Sequence, residues 1–207
     1  MARRISAFGF GADMPNGRVS HCFPLNRNKD DPEVVGVEGL LDAYRSAAKK
    51  LDYSGPTYFT DSIRRAIKIS KEEEGELGSS YSILMIITDG DIDDMDSTIK
   101  AIIDASNEAP LSIIIIGVGG CDFKRMEALD GDDGTLKSGK RVFQISRDIV
   151  QFVPFNKYSE DPELLAREVL AEIPSQLISY MLERNACPRP CPYPLFTTAP
   201  PMVVPQP

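Results

Sequence analysis

The stretch YSILMIITDGDIDDMDSTIKAIIDASNEAPLSIIIIGVGG, residues 81–120, decides the fold. It opens on Ile83-Leu84-Met85-Ile86-Ile87, a short continuous apolar run ending in a polar turn. It closes on a second run, Ile113-Ile114-Ile115-Ile116, ending in Gly117-Val118-Gly119-Gly120. Continuous runs of this length, without alternation, mark strands buried on both faces, as in a parallel sheet. Between them, Asp94–Glu108 places Met95, Ile99, Ile102 and Ile103 on one side of a helix, and Pro110 stops it. Strand, helix and parallel strand form the unit from which α/β folds with helices on both faces of the sheet are built.

The flanking sequence extends the pattern. Arg4–Phe10 alternates weakly and runs into Gly-Phe-Gly, a strand meeting a turn, and Val19–Leu25 reads as a second, shorter strand. Pro32-Glu33 opens a helix with Val34, Val37, Leu40, Leu41, Tyr44, Ala47, Ala48 and Leu51 at helical spacing. After a break at Ser54-Gly55-Pro56, Thr60 or Asp61 caps a second helix running to about Glu74. Downstream come a short helix at Phe123–Leu129, a Gly/Asp loop at Asp130–Gly139 and a strand at Ile149–Phe152. A final helix from Asp161-Pro162 through Leu164, Leu165, Val169, Leu170, Ile173, Leu177, Ile178 and Met181 should kink at Pro174. Residues 4–184 thus read as one domain. From Asn185 on, eight of 23 residues are proline, and the tail 185–207 reads as disordered or extended. Its prolines alternate and form no P-x-x-P beside a basic residue, so docking to a proline-recognising domain is the weaker reading.

Composition narrows the function. The 207 residues carry a formal charge of −8 with no basic block, a poor match to nucleic acid or, without a bridging cation, to anionic lipid. Arg3, Arg4, Arg64, Arg65, Lys68 and Lys71 read as solvated helix faces and a strand end. No apolar segment is long enough to cross a membrane, and MARRISAFGFG lacks the apolar region of a secretory signal. Cys22, Cys121, Cys187 and Cys191 have no zinc spacing and read as reduced thiols of a cytoplasmic protein.

TDGDIDDMD, Thr88–Asp96, holds five aspartates in nine residues. It begins at the carboxyl end of a strand, where ligands bind in such folds. A helix–loop–helix calcium site fails here: Asp89, Asp91 and Asp93 suit positions one, three and five, but Asp94 replaces the required glycine and Lys100 the bidentate glutamate. Asp93, Asp94 and Asp96 read as first-turn residues complementing a helix dipole. That leaves Asp89, and Asp91 after it, as ligand candidates. Asp130-Gly-Asp-Asp-Gly134 lacks a spaced later carboxylate and reads as a solvated acidic turn. Gly117–Gly120 matches no phosphate loop, His21 has no nucleophile partner, and no nucleophile elbow is present. No enzyme is expected.

VSHCFPLN (19–26), YSGPTYF (53–59), LMIITDG (84–90), IIIIGVGGCDFKRMEALD (113–130), RDIVQFVPF (147–155) and VLAEIPSQLISYM (169–181) occur in this order. The chain closely resembles the C-terminal domain of copines, which is similar to the von Willebrand factor A domain. The resemblance implies a Rossmann-like parallel sheet that recruits intracellular proteins at its top face through a divalent ion, Mg²⁺ above all. It also implies a setting of calcium-dependent phospholipid binding and membrane signalling. The lipid-binding modules of whole copines are absent here, so membrane contact would be indirect, by recruitment to the plasma membrane.

By the same resemblance, Thr57 and Asp89 match two of the family's metal-site contributions. The third, a D-x-S-x-S loop, is absent from the chain. The match starts at the family's second strand, so an N-terminally truncated domain lacking the first central strand is expected, with a degenerate, weak metal site. The gap between strands 4–10 and 82–88 would close, be filled by another chain, or leave a poorly folding product. Two alternatives stay open: a structural remnant without metal or partner, and a substrate-recruiting module like those of copine-like ubiquitin ligases, whose RING this chain lacks the cysteines and histidines to build.

Overall fold

The computed structural model describes residues 3–15, 17–75, 80–131 and 134–186. In chain order its elements are β1 (Arg4–Ser6), β2 (Phe8–Gly9), β3 (Ala12–Asp13), β4 (Val19–Ser20), β5 (Phe23–Pro24), β6 (Glu33–Val35), α1 (Gly36–Ala48) and α2 (Thr60–Glu74). Then follow β7 (Ser82–Thr88), α3 (Met95–Glu108), β8 (Leu111–Gly117), α4 (Lys124–Glu127), β9 (Thr135–Ser138), β10 (Arg141–Gln144), β11 (Val150–Pro154), α5 (Phe155–Tyr158), α6 (Pro162–Val169) and α7 (Ile173–Glu183).

β8 is the axis of the domain. It pairs in parallel with β7 on one side and β11 on the other, with Ile115 opposite both Ile86 and Phe152. Successive side chains of a strand point to opposite faces. Ile113 and Ile115 enter a core with Phe59 and Ile63 near and on α2, Ile99, Ile102 and Ala105 of α3, and Met126 of α4. Ile114 faces the other way, against Val153, Val169 and the half-buried Leu165 and Ile173 of α6 and α7. The fold is therefore the expected α/β architecture, a parallel sheet flanked by helices.

β7 departs from the doubly buried reading. Ile86 is buried, but Ile83, Met85 and Ile87 are 47, 48 and 59% exposed. Among the described residues, α7 packs against β8, and this face of β7 stays open. Among the described residues, no strand pairs with the outer edge of β7. The N-terminal strands do not close that gap. β1 pairs with β6, β2 with β5 and β3 with β4, all antiparallel, around a second cluster of Ala7, Ala12, Phe23, Leu25, Val34 and Ala47.

Three elements differ from the sequence reading. Residues 33–35, expected as helix, form a strand on β1. The Arg4 guanidinium holds Asp31 and Glu33 there, and the chain turns into α1 at Gly36, whose φ of 63° favours glycine. The expected single C-terminal helix is two, interrupted at 170–172. Pro174 sits in the first turn of α7, where a missing N–H costs nothing, so it starts a helix instead of kinking one. The loop 130–139 contains half of a hairpin, β9–β10, closed by Gly139-Lys140 with Gly139 at φ 59°. Of the proline-rich tail, residues 187–207 lie outside the described residues, as do Cys187 and Cys191.

Arg147 ties the C-terminal half together. Its side chain is 1% exposed. It donates from Nε to the Ser106 carbonyl and from Nη2 to the Ala109 carbonyl, each at 2.9 Å, where α3 ends and its last carbonyls need donors. The guanidinium lies 4.9 Å from the ring centroid of Tyr180, whose hydroxyl donates to Glu74 at 2.8 Å. Arg147→Met removes two buried charge-assisted hydrogen bonds, each worth about 1.5–3 kcal/mol, while the Ser106 carbonyl keeps the Ser146 hydroxyl and the Ala109 carbonyl keeps the Leu111 N–H. We expect a loss of about 2–5 kcal/mol in denaturant unfolding at an unchanged m-value. Burial, with the Glu74 bond second, pushes the Tyr180 phenol up to about 12. A raised pKa favours the neutral phenol in the folded state. Its contribution is whole below the ordinary tyrosine value of about 10 and is lost as pH rises to about 12. Ultraviolet titration should show a late-ionising tyrosine that Tyr180→Phe removes.

Candidate functional site

β7 and β8 end side by side, with Thr88 opposite Gly117, so the turns after them form the top of the sheet. Gly117 has a packing reason: a Cβ there would meet the Phe123 ring at 3.0 Å. The Val118 N–H donates to the Thr88 carbonyl at 2.8 Å. The Thr88 hydroxyl closes the next turn, donating to the Gly90 carbonyl at 3.1 Å and accepting from its N–H at 3.3 Å. This leaves Asp89 exposed, with its carboxylate making no hydrogen bond to the described residues. Its backbone carbonyl accepts from the Cys121 thiol at 3.0 Å.

The aspartates that follow divide their roles. Asp91 sits 3.5 Å from Nε of Arg125, whose Nη1 donates to the Ile92 carbonyl, and Asp91 Oδ1 is buried without a partner. Asp93 and Thr57 are joined twice: the Thr57 N–H donates to Asp93 Oδ2 at 2.7 Å and the Asp93 N–H to the Thr57 carbonyl at 2.9 Å. Asp94 accepts from the N–H groups of Phe59 and Thr60 at 3.0 and 3.1 Å. It also accepts from the hydroxyls of Thr60 at 2.5 Å and Thr98 at 3.0 Å. α2 is therefore capped by Asp94 from across the fold, not by Thr60 or Asp61. Of the three aspartates assigned to the helix dipole, only Asp96 lies in the first turn of α3, where it accepts from Ser138 and pairs with Arg141.

These bonds set Thr57 beside the turn that follows β7. A Cβ added at Gly90 would lie 3.3 Å from the Thr57 hydroxyl oxygen, so Thr57 stands over the residue that follows Asp89. The Thr57 hydroxyl, like the Asp89 carboxylate, has no hydrogen-bond partner among the described residues. Beside them, an open cleft of about 920 Å³ runs between the starts of α2 and α3, α4 and the β9–β10 turn, with Tyr58, Asp61, Arg64, Asp93, Lys124 and Arg125 in its wall. On its rim, the Lys124 ammonium 2.7 Å from Asp122 holds that carboxyl below its usual range. His21 is structural, its ring 4.4 Å from that of Tyr58. Cys22 is half-buried, and burial raises its thiol pKa.

One acidic group gathers where the sequence reading expected a solvated turn. Asp130 is joined by Asp148, which precedes β11, and by Glu172, at the start of α7, with one oxygen of each within 4.8 Å of the others. The missing later carboxylates are thus supplied from far along the chain, a convergence that local spacing does not reveal. Among the described residues, the aspartates of 89–96 form no such group of three.

A parallel sheet flanked by helices is consistent with a von Willebrand factor A-like domain. The family model for copines matches residues 1–189. The chain is 47% identical over 186 residues to Copine-C and 46% identical over 187 residues to Copine-A, both of Dictyostelium discoideum, covering 90% of this chain and 34 and 31% of those proteins. It is also 44% identical to the nicotinic receptor-associated protein 1 of Caenorhabditis elegans, over 97% of this chain and 33% of that one. The chain belongs to the copine family, and it spans about a third of the length of the curated relatives it matches.

Asp94 and Asp89 separate structure from site. Asp94→Ala strips a helix terminus of its acceptor and should lower stability by about 1–3 kcal/mol. Asp89→Ala should shift it by no more than about 0.5 kcal/mol, the usual range for an exposed position. Paired urea-unfolding curves check both.

Proposed function

We propose that this chain is a non-enzymatic protein-interaction module of a copine-like protein, acting through the top face of its sheet. The observation that carries the reading is the free pair, the Thr57 hydroxyl beside Gly90 and the exposed Asp89 carboxylate. A hydroxyl and a carboxylate are hard oxygen donors of the kind Mg²⁺ takes while keeping several waters. An ion held by one negative charge stays electrophilic toward a carboxylate brought by a partner protein. Two protein ligands hold Mg²⁺ weakly, so the site is a degenerate one that loads at high ion concentration or when the partner supplies a further ligand. The name of the nematode relative, a receptor-associated protein, favours a protein partner.

The setting follows from the family. Calcium-dependent phospholipid binding belongs to other modules of copines, and this domain would act in the cytoplasm, meeting the plasma membrane through them. Among the described residues, no helix is long and apolar enough to cross a membrane. Calorimetric titration of the metal-free chain with MgCl₂ should give a dissociation constant in the millimolar range or weaker, and Asp89→Ala should abolish the heat. Uptake unchanged by Asp89→Ala would defeat this reading of the top face.

A further inference from the structure

We propose that two copies of this chain pair through α1, packed antiparallel along a second apolar stripe of that helix. α1 carries two apolar faces, and the domain uses one of them. Leu40, Ala43 and Ala47 turn inward and pack in the cluster with Phe23, Leu25 and Val34. Val37, Leu41 and Tyr44 point outward, 64, 38 and 57% exposed. Ala48, also exposed, continues their line. The exposed Tyr53 lies within electrostatic reach of Tyr44 and widens the patch. A surface helix needs one apolar face toward its own core, and the outer stripe of α1 has no such use.

The spacing of that stripe says what covers it. Val37, Leu41, Tyr44 and Ala48 follow one another at four, three and four residues. Apolar residues alternating three and four apart form the seam between paired helices, so the occupant is a helix. Charge then selects a second copy and its direction. The N-terminal half of α1 carries Glu38 and Asp42, and its C-terminal end carries Arg45, with Lys49 and Lys50 just beyond. Set antiparallel about a two-fold axis, each acidic half meets the basic end of the other copy, and the two helix dipoles run in opposition. Along the seam, Leu41 then faces Tyr44 of the second copy, Val37 faces Ala48, and Glu38 stands beside Arg45. A parallel pair would bring like charges together.

The charges are free to do this. Glu38 makes no ion pair among the described residues, and Arg45 reaches Asp42 at 3.8 Å with both side chains exposed, a contact worth little. The outer face of α1 is thus self-complementary, although the chain as a whole carries a charge of −8. Thirteen residues make a helix about 20 Å long, so the pair buries less than the roughly 800 Å² per partner of a standard interface. Association is accordingly weak, in the micromolar range or above. The seam uses neither Thr57 nor Asp89 and stands whether or not the top face holds Mg²⁺.

The test is sedimentation velocity of the full chain from micromolar to near-millimolar concentration, with circular dichroism to confirm that each variant folds. The wild type should pass from monomer to dimer. Leu41→Asp, at an exposed position, should weaken association at least tenfold. Glu38→Arg and Arg45→Glu should each weaken it, and the two changes in one chain should restore it, because the exchanged charges again meet their opposites. Met85→Lys, on the exposed face of β7, should leave it unchanged. If the exchanged chain does not fold, Leu41→Asp and Tyr44→Lys decide. A wild type that stays monomeric would overturn the proposal and leave the stripe to a helix of a different protein. Association that survives Leu41→Asp, that Met85→Lys abolishes, or that the folded double exchange does not restore would overturn it equally.

Discussion

The Asp94 carboxylate sets the top of the domain. It takes two backbone N–H groups and a hydroxyl from the start of α2 and a hydroxyl from the first turns of α3. Two helix N-termini, each with orphan donors and a partial positive charge, thus share one anion. That joint fixes α2 against α3, and these two helices roof the inner face of β7 and β8. It also fixes the chain just before α2, where the paired bonds between Thr57 and Asp93 place the threonine over the turn after β7. The acidic run is therefore mostly scaffold. Its structural members, Asp93 and Asp94, hold the frame in which its exposed member, Asp89, is presented.

What the sequence revealed follows the range of the forces involved. β8, α2, α3 and the start of α6 were legible because their signals are local: an isoleucine run, helical spacing, an Asp-Pro start. The doubly buried reading of β7 failed because burial of Ile83, Met85 and Ile87 depends on what lies over them, and an apolar run does not say what covers it. The hairpin of β9 and β10 had a signal in Ser138-Gly139-Lys140 between two short strand-like segments, which the surrounding glycines and aspartates disguised. β6 was hidden by a helical spacing that runs straight through it. Only the pairing of Arg4 with Asp31 and Glu33, some thirty residues away, separates strand from helix there.

The candidate site divides in the same way. Asp89 was readable from its place after a strand, and Thr57 only through the family resemblance, since nothing local distinguishes that threonine. The role of Asp94 as a cap for another helix, and the meeting of Asp130 with Asp148 and Glu172, are tertiary facts. Each arises because chain segments remote in sequence end at the same place on a parallel sheet, whose loops necessarily gather at its two ends and its edges.

β7 carries one more consequence. SILMIIT, residues 82–88, contains no charge, no proline and no glycine, and among the described residues no strand pairs with its outer edge, beside a row of exposed isoleucine and methionine. Natural edge strands are usually blunted by lysine, proline or a bulge, and this one has none of these gatekeepers. This edge of the sheet is thus a template for another β-strand.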